Sequence, residues 1–197
     1  MVGLNFGDTM ETLLGIAIGI GLSAACGFRV FVPLLVMNLM ALGGYLQLSS
    51  GFAWIGGQYA TMAFATATIL EVLGYYIPWV DHLLDMVATP AAIIAGTVVT
   101  ASMADLSPSL KWTLSLIAGG GIAGLVQGAT SALRVKSSLS TAGVGNPVIS
   151  TMELVGSIIT ALLAILAPVL CLFLIGVFCF FVLRTAGRFI FRSIKAR

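Results

Sequence analysis

Apolar residues run through this chain in long blocks separated by short polar interruptions, and a helix needs roughly twenty such residues to cross the hydrocarbon of a bilayer. Thr12–Phe28 is the first block and runs into Arg29. Val30–Leu48 is a second, opened by Pro33 and closed by Gly43-Gly44, followed by a polar, glycine-containing stretch from Ser49 to Gln58 that reads as a loop. Tyr59–Pro78 is the third. Trp79–Val87 is short and amphipathic, with Asp81, His82 and Asp85, and reads as an interfacial connector. Thr89–Ala104 follows, with Pro90 in a first helical turn, where proline is well tolerated. After a turn at Asp105–Lys111, Trp112–Leu133 ends at Arg134 and Lys136. Ser137–Asn146 is a polar loop, and Pro147–Leu166 and Pro168–Leu183 are the last blocks.

These blocks predict an all-α, polytopic transmembrane helical bundle of six or seven spans. Two places set the count. Val30–Leu48 either crosses or forms a re-entrant or in-plane piece, and Leu166–Pro168 has so few turn residues that the last two blocks could be one kinked helix. A seven-span arrangement places Arg29, Arg134, Lys136 and the basic C-terminus on one side, which favours seven. The expected organisation is an N-terminal tail over 1–11, a transmembrane domain over 12–183 with halves 12–104 and 112–183, and a basic tail over 184–197.

Composition agrees with lipid as the main solvent. Only 8% of the 197 residues are charged, 59% are hydrophobic and the mean hydropathy is +1.12, whereas a soluble domain carries about a quarter charged residues. From Val30 to Leu110 there is no Lys or Arg and there are only four acids. Five of the nine cations (Arg184, Arg188, Arg192, Lys195 and Arg197) fall in the last fourteen residues. The positive-inside tendency makes that tail cytoplasmic, and its four-residue arginine spacing suits a helix lying on anionic headgroups or a simple stop-transfer cluster. Nucleic acid is not an expected partner. The N-terminal segment has Asp8 and Glu11 but no cation, so it lacks the basic region of a secretory signal. Cys26, Cys171 and Cys179 lie in apolar stretches without metal or disulfide spacing.

The two halves share an order of motifs. Gly27-Phe-Arg29-Val and Ala132-Leu-Arg134-Val end glycine-rich helices, and Glu71-Val-Leu-Gly74 and Glu153-Leu-Val-Gly156 follow them. Pro90 and Pro168 then open the next helices, although the first half carries a longer insert. If three core helices make each half, the halves would be inverted, with a site near the midplane where they meet.

Glu71 and Glu153 are the most informative residues. An ionised acid in a span is costly, about 2.5–3.5 kcal/mol at a helix centre. It is therefore either part of an ion or substrate pathway, or a structural group: paired with Arg29 or Arg134, or protonated and hydrogen-bonded between helices. Arg29, between Gly27 and Pro33, is either an anion or substrate contact at a helix break or an arginine that ends a span by snorkelling. Arg134, beside Lys136 and a polar loop, reads first as the latter. Asn146 and Pro147, after Gly143 and Gly145, suit an N-cap and a first helical position, and could also line a pathway. Gly15 and Gly19, and Gly120, Gly124 and Gly128, are spaced for close helix approach. Arg184, Arg188, Arg192 and Lys195 are candidates for headgroup contact. His82 with Asp81 and Asp85 supplies too few convergent ligands for a metal, and no P-loop, nucleophile elbow or dinucleotide fingerprint occurs. No enzyme activity, cofactor or metal is expected.

Gly27-Phe-Arg-Val-Phe-Val-Pro33-Leu-Leu and Gly145-Asn-Pro-Val-Ile-Ser-Thr-Met-Glu153 resemble a family catalogued as domain of unknown function 4126. The resemblance extends to about Leu183 and implies a small bacterial protein of the cytoplasmic membrane, with no reaction or substrate attached. The expected function is a transporter or channel for an ion or small solute, with Glu71, Glu153 and Arg29 in its pathway. The competing expectation is a non-transporting scaffold or complex subunit that organises partners or lipids. Membrane lipids, an ion or small solute and a second copy of the chain are the partners this implies.

Overall fold

The first helix, α1 (Phe6–Cys26), is the axis of the protein because small residues line it on two sides. In the computed structural model, which describes residues 6–141 and 144–195, α1 runs antiparallel to α4 (Pro78–Met103). A Cβ on Gly15 would overlap the Met103 carbonyl oxygen, and one on Gly19 would lie 2.9 Å from the Thr100 Cα. Ser23 then donates to the Gly96 carbonyl at 2.6 Å and lies 2.7 Å from the Thr100 hydroxyl. This is how helices associate where lipid offers no hydrophobic drive: close backbones and hydroxyl bonds. On its other side α1 runs antiparallel to α7 (Asn146–Leu166). There Ser157 donates to the Ala25 carbonyl at 3.0 Å, and Gly21 faces Ala164.

A long helical stretch, Pro108–Thr141, packs against α4. It comprises α5 (Pro108–Leu114), a π-helical turn at Ser115–Gly120, and α6 (Gly121–Thr141). The wide turn contains Gly119 and Gly120, whose bare backbones meet Gly96 and Thr97 of α4. Lys111 is therefore inside a helix and not in a turn. α4 also starts earlier than the apolar blocks indicate. It is unbroken from Pro78, so Trp79–Val87 is its first third and not a connector, and Pro90 lies within the helix. That proline removes the donor to the Met86 carbonyl, and its side chain is exposed.

The second block is a broken crossing. α2 (Phe31–Leu42) has 12 residues, about 18 Å of helix, too short alone for roughly 30 Å of hydrocarbon. The chain leaves it through Gly44, in the left-handed region at φ 77°, and continues irregularly to Ser49, whose N–H donates to Ser102 at the far end of α4 at 2.8 Å. A 3-10 turn (Ser50–Gly56) leads into α3 (Gln58–Gly74). Asn38 of α2 donates to the Ile55 carbonyl at 2.5 Å and the Gly57 carbonyl at 3.2 Å, satisfying backbone that lipid could not.

α7 stops at Leu166, Ala167 breaks the helix at φ −144° and ψ 66°, and α8 (Pro168–Lys195) folds back. Cys171 lies 3.9 Å from the Thr160 carbonyl and against Gly21. The last two blocks are thus two helices, and the basic tail is a direct continuation of α8. Among the described residues five helical stretches are long and apolar enough to cross a membrane: Thr9–Cys26, Trp79–Met103, Pro108–Thr141, Asn146–Leu166 and Pro168–Arg188. α1 and α6 are both antiparallel to α4 and hence parallel to each other. Their terminal arginines reach the same end of the bundle, so these two matched helices do not have the opposed orientation that an inverted repeat needs.

Candidate functional site

α1 ends where Gly27 lets α6 approach: a Cβ there would lie 2.6 Å from the Ala123 carbonyl oxygen. The chain then breaks before α2, whose first amides have no side-chain cap from their own segment. Unpaired N–H groups at a helix start attract an anion. Glu71, from α3, provides it: Oε1 accepts from the Val30 N–H at 2.8 Å and Oε2 from the Phe31 N–H at 3.1 Å. Glu71 makes no ion pair with either arginine among the described residues, so the paired-glutamate expectation fails for it.

Glu153 behaves differently. Arg134 donates through Nε to Glu153 Oε1 at 2.9 Å and through Nη2 to Oε2, a bidentate charge-assisted pair. Arg134 Nη1 reaches Asp81 Oδ1 at 2.5 Å and Asp85 Oδ1 at 3.3 Å, so three carboxyls surround one guanidinium. Arg29 Nη2 donates to the Ser150 carbonyl at 3.0 Å and hydroxyl at 2.5 Å and lies 3.6 Å from Glu153 Oε2. Both guanidiniums lie over the Tyr75 ring, at 3.8 Å and 4.1 Å from its centroid, where the ring face attracts cations. Arg29, Arg134, Asp81, Glu153 and Glu71 are all between 2% and 8% exposed.

Asn146 joins the cluster, donating to Asp81 Oδ2 at 3.2 Å and accepting from Ser138 at 3.2 Å. It is not the N-cap of α7: Gly145 holds that position and Asn146 is the first helical residue. Pro147 is exposed beside it and takes no part in the cluster. Gly143 lies outside the described residues. Gly15, Gly19, Gly120 and Gly124 sit at close helix contacts as expected, but Gly128 has nothing within 4 Å of where its Cβ would be. Its place is the exposed face of α6. Arg184 and Arg188 are exposed on α8, and the side chains of Arg192 and Lys195, like that of His82, lie outside the described ones.

The sequence reading missed Tyr75, Asp81, Asp85 and Ser150. Two signals were present: Tyr75 is one helical turn beyond Glu71, and Asp81 and Asp85 are one turn apart on α4. The cluster lies at one end of the bundle, not at its midplane, since it gathers the ends of α1, α3 and α6 and the starts of α2, α4 and α7. Among the described side chains it contains two guanidiniums and four carboxyls. Asp81, Glu153 and Glu71 are buried, whereas Asp85 is 28% exposed at the edge of the cluster; a buried carboxylate in excess of its cationic partners is costly. Beside it, between α3 and α4, is a cleft of about 610 Å³ whose walls include Arg29, Glu71, Tyr75 and Gln127 among apolar side chains.

Helical stretches long enough to cross a membrane, a broken crossing and a buried ionic cluster define a polytopic helical membrane protein. Residues 16–188 match the family described as domain of unknown function (DUF4126), and the chain belongs to that family. No curated protein and no solved structure matches it.

Proposed function

We propose that the protein is a carrier of a small solute through the membrane, with the ionic cluster as its proton-exchange site. The observation that supports this most directly is the imbalance of four carboxyls to two guanidiniums beside a cleft. Glu71, held by backbone amides and by no guanidinium among the described residues, and Asp85, 28% exposed at the edge of the cluster, are the two acids placed to exchange protons. Glu71 links that exchange to shape. As a carboxylate it holds the two first amides of the short helix α2; as a neutral acid it binds them less strongly, and α2 is freer to shift against α3. Broken helices with charged groups at their ends are the usual moving parts of such carriers. By the positive-inside tendency the cluster end, which also receives the α8 basic tail, faces the cytoplasm.

One observation favours the alternative, a static scaffold: both Glu153 oxygens are already engaged by Arg134. Proteoliposomes containing a pH-sensitive dye separate the two. Under an imposed membrane potential the wild type should pass protons faster than protein-free vesicles, and Glu71→Gln and Asp85→Asn should each remove that excess. Equal proton flux in wild type, both variants and empty vesicles would overturn the carrier reading and leave the scaffold.

A further inference from the structure

We infer that the cleft between α3 and α4 binds an amphiphile: a long apolar chain bearing one oxyanion, held by Arg29 and drawn sideways from the bilayer. As the identity of the carried solute this rests on the carrier reading above; as a binding site it does not.

The cleft has the volume of a small-molecule site, about 610 Å³, within the range of roughly 300–1,000 Å³ usual for ligand pockets. Its rim is apolar and open toward lipid. Leu70 and Leu73 of α3, Val87 of α4 and Ile77 of the turn between them line it and are each more than half exposed, an apolar face suited to lipid. α3 and α4 are joined by the short Tyr75–Ile77 turn and touch through Gly74, which lies against Val80 and Leu84. An acyl or isoprenoid chain fits such a wall without desolvating polar groups.

At its inner end the cleft offers charge without a complete set of acceptors. Arg29 is 2% exposed, yet its Nε and Nη1 have no hydrogen-bond acceptor among the described residues. A buried guanidinium with unused donors is expensive, and the carboxylates that could satisfy it are committed elsewhere. Glu153 is held by Arg134 and Glu71 by the α2 amides. Val30 and Phe31, at the start of α2, also line the cleft, but their amides are taken by Glu71, so the unused donors there are those of Arg29. An oxyanion entering here meets the unused Nε and Nη1 donors of Arg29, while its chain lies along the apolar wall.

The headgroup can be a carboxylate or a phosphate, and the test separates them. Protein in nanodiscs of neutral phosphatidylcholine is incubated with hexadecanoic acid, hexadecyl phosphate, hexadecanol or inorganic phosphate, and retained adducts are counted by native mass spectrometry. One adduct of the acid or the alkyl phosphate is expected, whichever binds tighter naming the headgroup, with hexadecanol and free phosphate retained weakly. Arg29→Gln should weaken the tighter ligand about ten- to a hundredfold. Ala91→Phe, which fills the cleft without touching the ionic cluster, should weaken it similarly and keeps the test valid if the arginine variant does not fold. Hexadecanol binding as tightly as the acid and the alkyl phosphate, or wild-type affinity in Ala91→Phe, would overturn the inference. Adducts in a protein that moves no protons would keep this site and discard the carrier reading.

Discussion

Arg134 is the keystone of the ionic cluster, and its removal should be far more damaging than removal of its bidentate partner. In Glu153→Gln the guanidinium keeps Asp81 at 2.5 Å and Asp85 at 3.3 Å, and the new amide oxygen still accepts one hydrogen bond. The loss is one charge-assisted bond, about 1.5–3 kcal/mol. In Arg134→Gln, Glu153 and Asp81 remain, 5% and 3% exposed, with Arg29 3.6 Å from Glu153 as the nearest remaining cation. Breaking a buried pair by removing one partner costs about 3–5 kcal/mol. The double variant removes a charge of each sign and should lose at least about 1.5 kcal/mol less than the two single losses added together. Equilibrium unfolding in mixed micelles, followed by circular dichroism, gives all three values against wild type. A loss below about 1 kcal/mol for Arg134→Gln, the range of an exposed pair, would mean that Arg134 holds no buried pair, as would strict additivity in the double variant.

Three further outcomes follow from the same geometry. Gly15→Ala drives a methyl into the Met103 carbonyl and should destabilise by about 1–3 kcal/mol as overpacking, whereas Gly128→Ala, with open space around it, should be neutral or gain up to about 1 kcal/mol in helix propensity; the same unfolding assay reads both. Asn38→Leu strips the Ile55 carbonyl of its donor, while the Gly57 carbonyl keeps the N–H and hydroxyl of Thr61. It should cost about 1–3 kcal/mol and speed proteolysis within residues 43–57 first. Tyr75→Leu removes the aromatic face under both guanidiniums and should cost about 1–4 kcal/mol for two desolvated contacts, with Tyr75→Phe close to wild type.

Hydropathy alone carried the helical membrane class, since only lipid tolerates so few charges. It also isolated Glu71, Glu153, Arg29 and Arg134, because acids and arginines are conspicuous in apolar runs. Their pairing was not legible. Glu153 is 19 residues from Arg134, but Glu71 bonds amides 40 and 41 residues away, and nothing local records that choice. The amphipathic pattern of Trp79–Val87 alone points Asp81 and Asp85 toward an interface. Tertiary burial by α6 and α7 turned the polar face inward, which a single-helix pattern cannot express. Pro90 misplaced a helix start for the related reason that proline suits a first turn and, in a membrane helix, is also tolerated within. The break after Leu42 was half visible: Gly43-Gly44 marked its position, and only the bonds from Asn38 and Ser49 show how the chain past it is held.

Proton exchange at the cluster carboxyls is tested most directly by infrared difference spectroscopy of the purified protein between acid and alkaline buffer. A protonated-carboxyl band should appear and disappear reversibly on cycling, shrink in Glu71→Gln and Asp85→Asn, and persist in Glu11→Gln, whose acid lies on α1 outside the cluster. A difference spectrum unchanged by Glu71→Gln and Asp85→Asn would mean that the cluster holds fixed charges, and the proton-exchange reading would be contradicted.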